Sequence, residues 1–83
     1  MRAKMNVSAV KRLVGSNGEV TTEELTMYPV CGNAPFGPNG ESEDNTFARY
    51  TPSGNLALTI NNPDLLGKFK PGQKFYVDFT LAE

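Results

Sequence analysis

The chain has 83 residues, with eight lysine and arginine residues together against nine aspartates and glutamates, and neither histidine nor tryptophan. A net charge of −1 and a pI near 5.3 argue against a globally basic nucleic-acid surface, and no apolar run approaches the roughly 18 residues of a membrane-spanning helix. A single domain of this size, 1–83, buries only about 60% of its extended-chain surface, so a homo-oligomer or a permanent partner is expected.

The lone cysteine, Cys31, rules out an internal disulfide framework and suits a reducing compartment. It reads as a small buried apolar residue. The opening MRAKMNVSAV lacks the apolar core of a secretory signal. The expected location is therefore the cytoplasm, or a particle assembled there.

The first predicted strand covers residues 2–10, where Ala3, Met5, Val7 and Ala9 alternate with Arg2, Lys4, Asn6 and Ser8. That period of two marks a strand with one buried face. Ser16-Asn17-Gly18 is a turn signal. A second strand follows over 23–31; Pro29 cannot donate to a ladder, so the strand lies at an edge or ends there. Residues 32–44 then hold glycines, prolines and acids with only Ala34 and Phe36 as apolar points, which reads as a long polar loop. A short third strand is expected over 45–50, with Phe47 inward, and Thr51 to Gly54 forms the next turn.

The last third carries the clearest pattern. Leu56, Leu58 and Ile60 alternate with Ala57 and Thr59 as a fourth strand. Residues 61–67 read as one helical turn, with Asn62 as cap, Pro63 at the first helical position and Gly67 in the left-handed conformation that ends it. A piece this short does not stand alone, so Leu65, Leu66 and Phe69 are expected to plug an open end of the fold. Lys70-Pro71-Gly72-Gln73 suits a type II turn. Over 74–81, Phe75, Val77, Phe79 and Leu81 face one way, against Tyr76, Asp78 and Thr80. Five strands, a long loop before the third and a helical turn before the last predict an all-β chain, a small SH3-like barrel, with an OB-like barrel second.

The inventory of reactive groups is thin. Without histidine the usual general base and imidazole ligand are missing, and one cysteine builds no structural zinc site. No phosphate-loop, dinucleotide or nucleophile-elbow motif occurs. No enzyme, metal or cofactor is expected; Asp78 with Glu41, Glu43 or Asp44 is the one carboxylate set left for acid–base work. The run from Asn39 to Asn45 offers oxygen ligands but lacks the register of a calcium loop, and the plain reading is a solvated acidic loop. Arg49 and Tyr50, with Asn61, Lys68, Lys70 and Lys74 around the helical turn, form the one set resembling an anion site: a planar fork for phosphate and a face for a base. Exposed lysines need no such explanation. Tyr28 and Phe36, at the mouth of the long loop, serve either as stacking platforms for a small ligand or as apolar anchors in an interface.

Residues 43–54 (EDNTFARYTPSG), LALTINNP over 56–63, Gly67-Lys68-Phe69 and FYVDFT over 75–80 resemble small uncharacterised proteins of tailed bacteriophages. There an EDN-F…TPS…NP…FYVDF succession follows an N-terminal strand like MRAKM. The resemblance spans nearly the whole chain outside the loop around 32–40. It implies a phage origin and carries no activity or residue role. A small phage protein without catalytic residues acts by binding. The first expectation is an anti-defence factor that sequesters a nucleotide immune signal, or blocks a host immune protein, in the host cytoplasm. The alternative is a virion component such as a capsid decoration or head-completion protein. Single-stranded nucleic-acid binding comes last, given the acidic balance.

Overall fold

A computed structural model describes residues 1–32 and 34–83. Four strands form one antiparallel sheet: β1 (Arg2–Val14), β2 (Val20–Pro29), β3 (Leu56–Ile60) and β4 (Lys74–Asp78), in the order β3-β2-β1-β4. The chain is all-β, as the sequence predicts. The sheet is open, however, and no SH3-like or OB-like barrel closes among the described residues. Its two edge strands, β3 and β4, lie on opposite sides of the β1–β2 hairpin, too far apart to pair.

The hairpin turns at Gly15 to Glu19. The Gly15 N–H donates to the Glu19 carbonyl (2.7 Å) and the Gly18 N–H to the Gly15 carbonyl (3.0 Å). Gly18 has φ 85°, the left-handed conformation that glycine adopts without strain. Along the hairpin the register passes from Val7↔Met27 to Ala9↔Thr26, leaving Ser8 as an extra, bulged residue. A bulge shifts the side-chain alternation by one. Ala3, Met5 and Val7 therefore face the core below it, and Val10 faces the core above it, opposite Leu25. Ala9, expected inward from strict alternation, is exposed.

The core is small. Ala3, Met5, Val7, Leu25, Met27 and Ile60 are buried, and Val10, Phe47, Leu56, Leu66, Phe69 and Val77 pack against them. Among the described residues no second sheet covers this face. Phe47 comes from the long loop, and Leu66 and Phe69 come from the crossover between β3 and β4. Leu66 and Phe69 do plug the fold as expected, with the Phe69 and Phe75 rings 5.3 Å apart, but Leu65 stays exposed. The crossover is a run of tight turns rather than a helical turn. Asn62 does cap it, accepting the Asp64 N–H (3.0 Å), and Gly67 is left-handed at φ 80°. The Gly67 N–H, however, is taken by the Glu23 carboxylate (2.8 Å) instead of a carbonyl one turn back, so no helix propagates.

Two strands are longer than the sequence suggests and one is shorter. β1 runs on to Val14 and β2 starts at Val20, whereas β4 stops at Asp78 and leaves Leu81 fully exposed (99%). β4 pairs only with Arg2 to Asn6, and β3 only with Glu23 to Met27. Only the end of the hairpin, Leu13 and Val14 with Val20 to Thr22, therefore projects as a two-stranded arm, about 10 Å long at the usual rise per residue. The molecule measures 56 × 32 × 17 Å with a radius of gyration of 15.5 Å, against about 12 Å for a compact domain of this length.

The expected strand over 45–50 does not form; those residues are turns. Asn45 and Thr46 instead dock on β1. Asn45 is 3% exposed. Its Oδ1 accepts the Lys4 N–H (2.9 Å) and its Nδ2 donates to the Val30 carbonyl (2.7 Å). The Val30 N–H donates to the Lys4 carbonyl (2.9 Å), so the side-chain amide stands where one ladder bond between the two strands would be. Next to it, the Thr46 N–H donates to the Arg2 carbonyl (2.9 Å) and Thr46 Oγ1 accepts the Arg2 N–H (2.7 Å). Pro29, which has no N–H to give, is the last residue of β2.

Removing the Asn45 amide leaves a buried donor and a buried acceptor unpaired, which costs about 1–3 kcal/mol for each such group. Asn45→Ala is expected to lower stability by about 2 kcal/mol or more in urea unfolding, whereas Ser42→Ala changes it little. A loss for Asn45→Ala no larger than that for Ser42→Ala would mean that the amide does not hold the loop.

Candidate functional site

The sheet has a polar outer face and a half-covered apolar inner face, and each holds part of the chemistry. On the outer face Arg2 and Lys4 of β1 lie opposite Asp78 and Tyr76 of β4. Arg2 Nε donates to Asp78 Oδ1 (2.7 Å) and its Nη2 to Oδ2 (3.3 Å), the two-pronged geometry that favours arginine. The Arg2 guanidinium carbon is 4.7 Å from the centre of the Tyr76 ring. The Tyr76 hydroxyl donates to Asp44 Oδ1 (2.8 Å), and Lys4 Nζ approaches Asp44 Oδ2 (3.5 Å). The Asp44 hydrogen bond pushes the Tyr76 phenol up, and the Arg2 hydrogen bond holds Asp78 below the usual carboxylate range. Alternation alone puts Arg2 and Lys4 on one face and Tyr76 and Asp78 on another; that the two rows are neighbours is visible only in the sheet order.

Asp44 and Asp78, two of the carboxylates singled out from the sequence, thus meet in one cluster, each matched by a cation of β1. Asp44 clamps the long loop to Lys4 and Tyr76, and Asp78 ties β4 to Arg2 of β1. Glu41 is used within the loop, accepting the Asn39 N–H (2.9 Å). Among the described residues no three Asp, Glu or Cys side chains converge on a point where a metal ion would sit.

The seven residues proposed as a ligand site fall into separate places. Phe36 and Tyr50 come together, with ring centres 6.0 Å apart. Tyr50 is left-handed (φ 58°) and its N–H donates to the Gly40 carbonyl (2.7 Å). A methyl group on Gly40 would lie 2.5 Å from the Tyr50 ring, so only glycine fits beneath it. Phe36 and Tyr50 therefore fold the loop on itself. Arg49 is exposed beside them, and Tyr28 is exposed on β2, opposite Asn6 on the outer face. Asn61, Lys68 and Lys70 are exposed on the crossover, which is fastened to Glu23 by Gly67 and to Val7 by Gly72 and Gln73. Cys31, expected to be buried, is exposed where the chain leaves β2.

Among the described residues, two concavities stand out. One, of about 440 Å³, lies within the loop and is lined by Ala34, Pro35, Gly37, Glu41, Ser42, Glu43 and Thr46. The other, of about 160 Å³, is an apolar cleft at the open end of the inner face, bounded by Met1, Ala3, Met5, Pro29, Phe47 and Phe79. Neither is lined by any of the seven proposed ligand residues, and both are open to solvent.

Sequence reasoning passed over Glu23. It is 1% exposed, accepts the Gly67 N–H, and faces the Arg12 guanidinium (Nε to Oε2, 3.1 Å). Arg12, on β1, is its cross-strand neighbour on the inner face. The Gly67 N–H lowers the Glu23 carboxyl most, burial opposes that, and Arg12 lowers it further.

Comparison with protein-family models, with curated proteins and with solved structures finds no match.

The lowered Glu23 carboxyl gives a pH dependence with a definite sign. Its stabilising contribution is complete above its ordinary value of 4.5 and is lost as pH falls through the lower folded-state value. Urea midpoints of the parent should therefore fall on acidification below about pH 5. In Glu23→Gln that fall should be shallower. Parallel curves for the two proteins would show that Glu23 is not a source of the acid sensitivity.

Proposed function

We propose that the protein is a non-enzymatic assembly module of a tailed-phage particle, a capsid-decoration or head-completion type of component that works by binding protein. One observation carries this reading. The chain exposes 6058 Å², whereas a compact monomer of its 9.0 kDa exposes about 4,900 Å². The excess of about 1,200 Å² is more than the roughly 800 Å² that each partner contributes to a standard interface. It arises because one apolar sheet face is covered only by loops and because the hairpin arm has no neighbour.

The residues left exposed agree with that origin. Leu13, Val14 and Val20 lie on the arm, Leu58 on β3, and Phe79 and Leu81 beyond β4. The apolar side chains at this hairpin end are best explained by a surface they rest on. Arms and flat apolar faces suit a subunit that completes its core on a neighbour. The nucleotide-sequestering reading asks Arg49, Tyr50, Lys68 and Lys70 to converge, and their separate anchoring in loop and crossover gives it no support. Blocking a host immune protein uses the same kind of surface and is separated by where the protein is found.

Quantitative mass spectrometry of purified particles from a phage encoding this chain should find it in fixed stoichiometry with the major capsid protein. Its absence from particles, together with uptake of one nucleotide species in native mass spectrometry, would restore the anti-defence reading. Absence from particles with capture of a host immune protein in infected cells would move the function to direct blocking.

A further inference from the structure

An open sheet leaves unpaired backbone along its edges, and proteins normally blunt such edges with charge, proline or bulges. Three edges of this molecule are blunted. β4 has Lys74 at one end and Asp78 at the other, the latter already paired with Arg2. The free side of β1 beyond Val7 carries Lys11 and Arg12 next to a bulge. The free part of β2 is only three residues, Val20 to Thr22.

β3 is different. Leu56-Ala57-Leu58-Thr59-Ile60 has no charge, no proline and no bulge, and it pairs in unbroken register with β2 on one side. Among the described residues nothing bonds to the backbone on its other side. Leu58 is 49% exposed although it belongs to the inner, apolar row. Asn55 precedes the strand and Asn61-Asn62 follow it, so the flanks are polar and uncharged too.

We propose that β3 pairs antiparallel with β3 of a second copy around a two-fold axis at Leu58, joining two four-stranded sheets into one of eight strands. The pairing sets Leu56 against Ile60 of the partner, Ala57 against Thr59 of the partner, and Leu58 against Leu58 of the partner. Like charges directly opposed destabilise a strand pair, and this pairing opposes none. An antiparallel self-pairing of the free edge of β1 would place Lys11 against Arg12. The row Leu56, Leu58, Ile60 becomes continuous across the axis, covering Leu58. The about 1,200 Å² of surplus surface leaves room for an interface of standard size. The inference names a second copy as partner; it stands whether or not particles contain the protein.

Light scattering on the purified parent tests the assembly, and a single cysteine tests the register. The parent should run at twice the 9.0 kDa chain mass. Leu58→Lys, which opposes two ammonium groups on the axis, should be a folded monomer, checked by circular dichroism. In a Cys31→Ser background, Leu58→Cys should form a disulfide-linked dimer under mild oxidation, since directly opposed residues lie within disulfide reach. Ala57→Cys and Tyr76→Cys should crosslink at least tenfold more slowly. If Leu58→Lys does not fold, the crosslinking pattern decides. A monomeric parent overturns the proposal, and so does a dimer that links as fast through Ala57→Cys or through Tyr76→Cys on β4.

Discussion

The fold depends on one side-chain amide. β1 and β2 pair closely up to Met5 and Pro29, and beyond that point the chain must leave the sheet for a long loop. Asn45 makes that departure compatible with a buried environment, because its carboxamide presents an acceptor to Lys4 and a donor to Val30. A peptide group offers the same pair of functions, so the amide serves as a one-residue strand. Thr46 continues the imitation with Arg2. Asp44, just before them, reaches Lys4 and Tyr76 on the outer face, while Phe47, just after them, packs on the inner face. Four consecutive residues thereby tie the loop to both sides of the sheet.

Glu23 plays the corresponding role at the other end of the sheet. A buried carboxylate is expensive unless it is paired and hydrogen-bonded, and here an arginine and a backbone N–H do both. The crossover between β3 and β4 is held where its Leu66 and Phe69 cover the core. Both polar anchors hold loops over the apolar face, and neither covers the free backbone edge of β3.

Much of this was legible in the sequence, and the failures have particular causes. Period-two patterns located β3, most of β4 and the lower half of β1, because each has one apolar row and no interruption. Ser8 gives no sign of a bulge: a serine is as ordinary on an exposed strand face as in a bulge, so Ala9 reads as inward although it faces out. The apolar Phe47 between polar residues made 45–50 look like a strand, although its work is done by single side chains. A barrel was inferred from strand count, yet closure depends on which strands end as neighbours, and that is a property of the crossover path. The proposed ligand residues were grouped by chemistry and not by distance; only Phe36 and Tyr50 meet, and they meet to pack the loop. Glu23 looked like an ordinary exposed acid because its partner Gly67 lies 44 positions away.

The pairing of β4 with β1 joins residues as far apart as Arg2 and Asp78, 76 positions along the chain. During synthesis β1 and β2 meet early as a local hairpin, while the other side of β1 waits for β4 to leave the ribosome. At roughly 5–20 residues per second that interval lasts seconds. Throughout it the row of Ala3, Met5 and Val7 is flanked by an open ladder, the arrangement that invites a neighbouring nascent chain to pair in place of β4. The charges of Arg2 and Lys4 on that same stretch are thus also safeguards of the growing polypeptide, repelling an identical strand until Asp78 and Asp44 arrive to neutralise them.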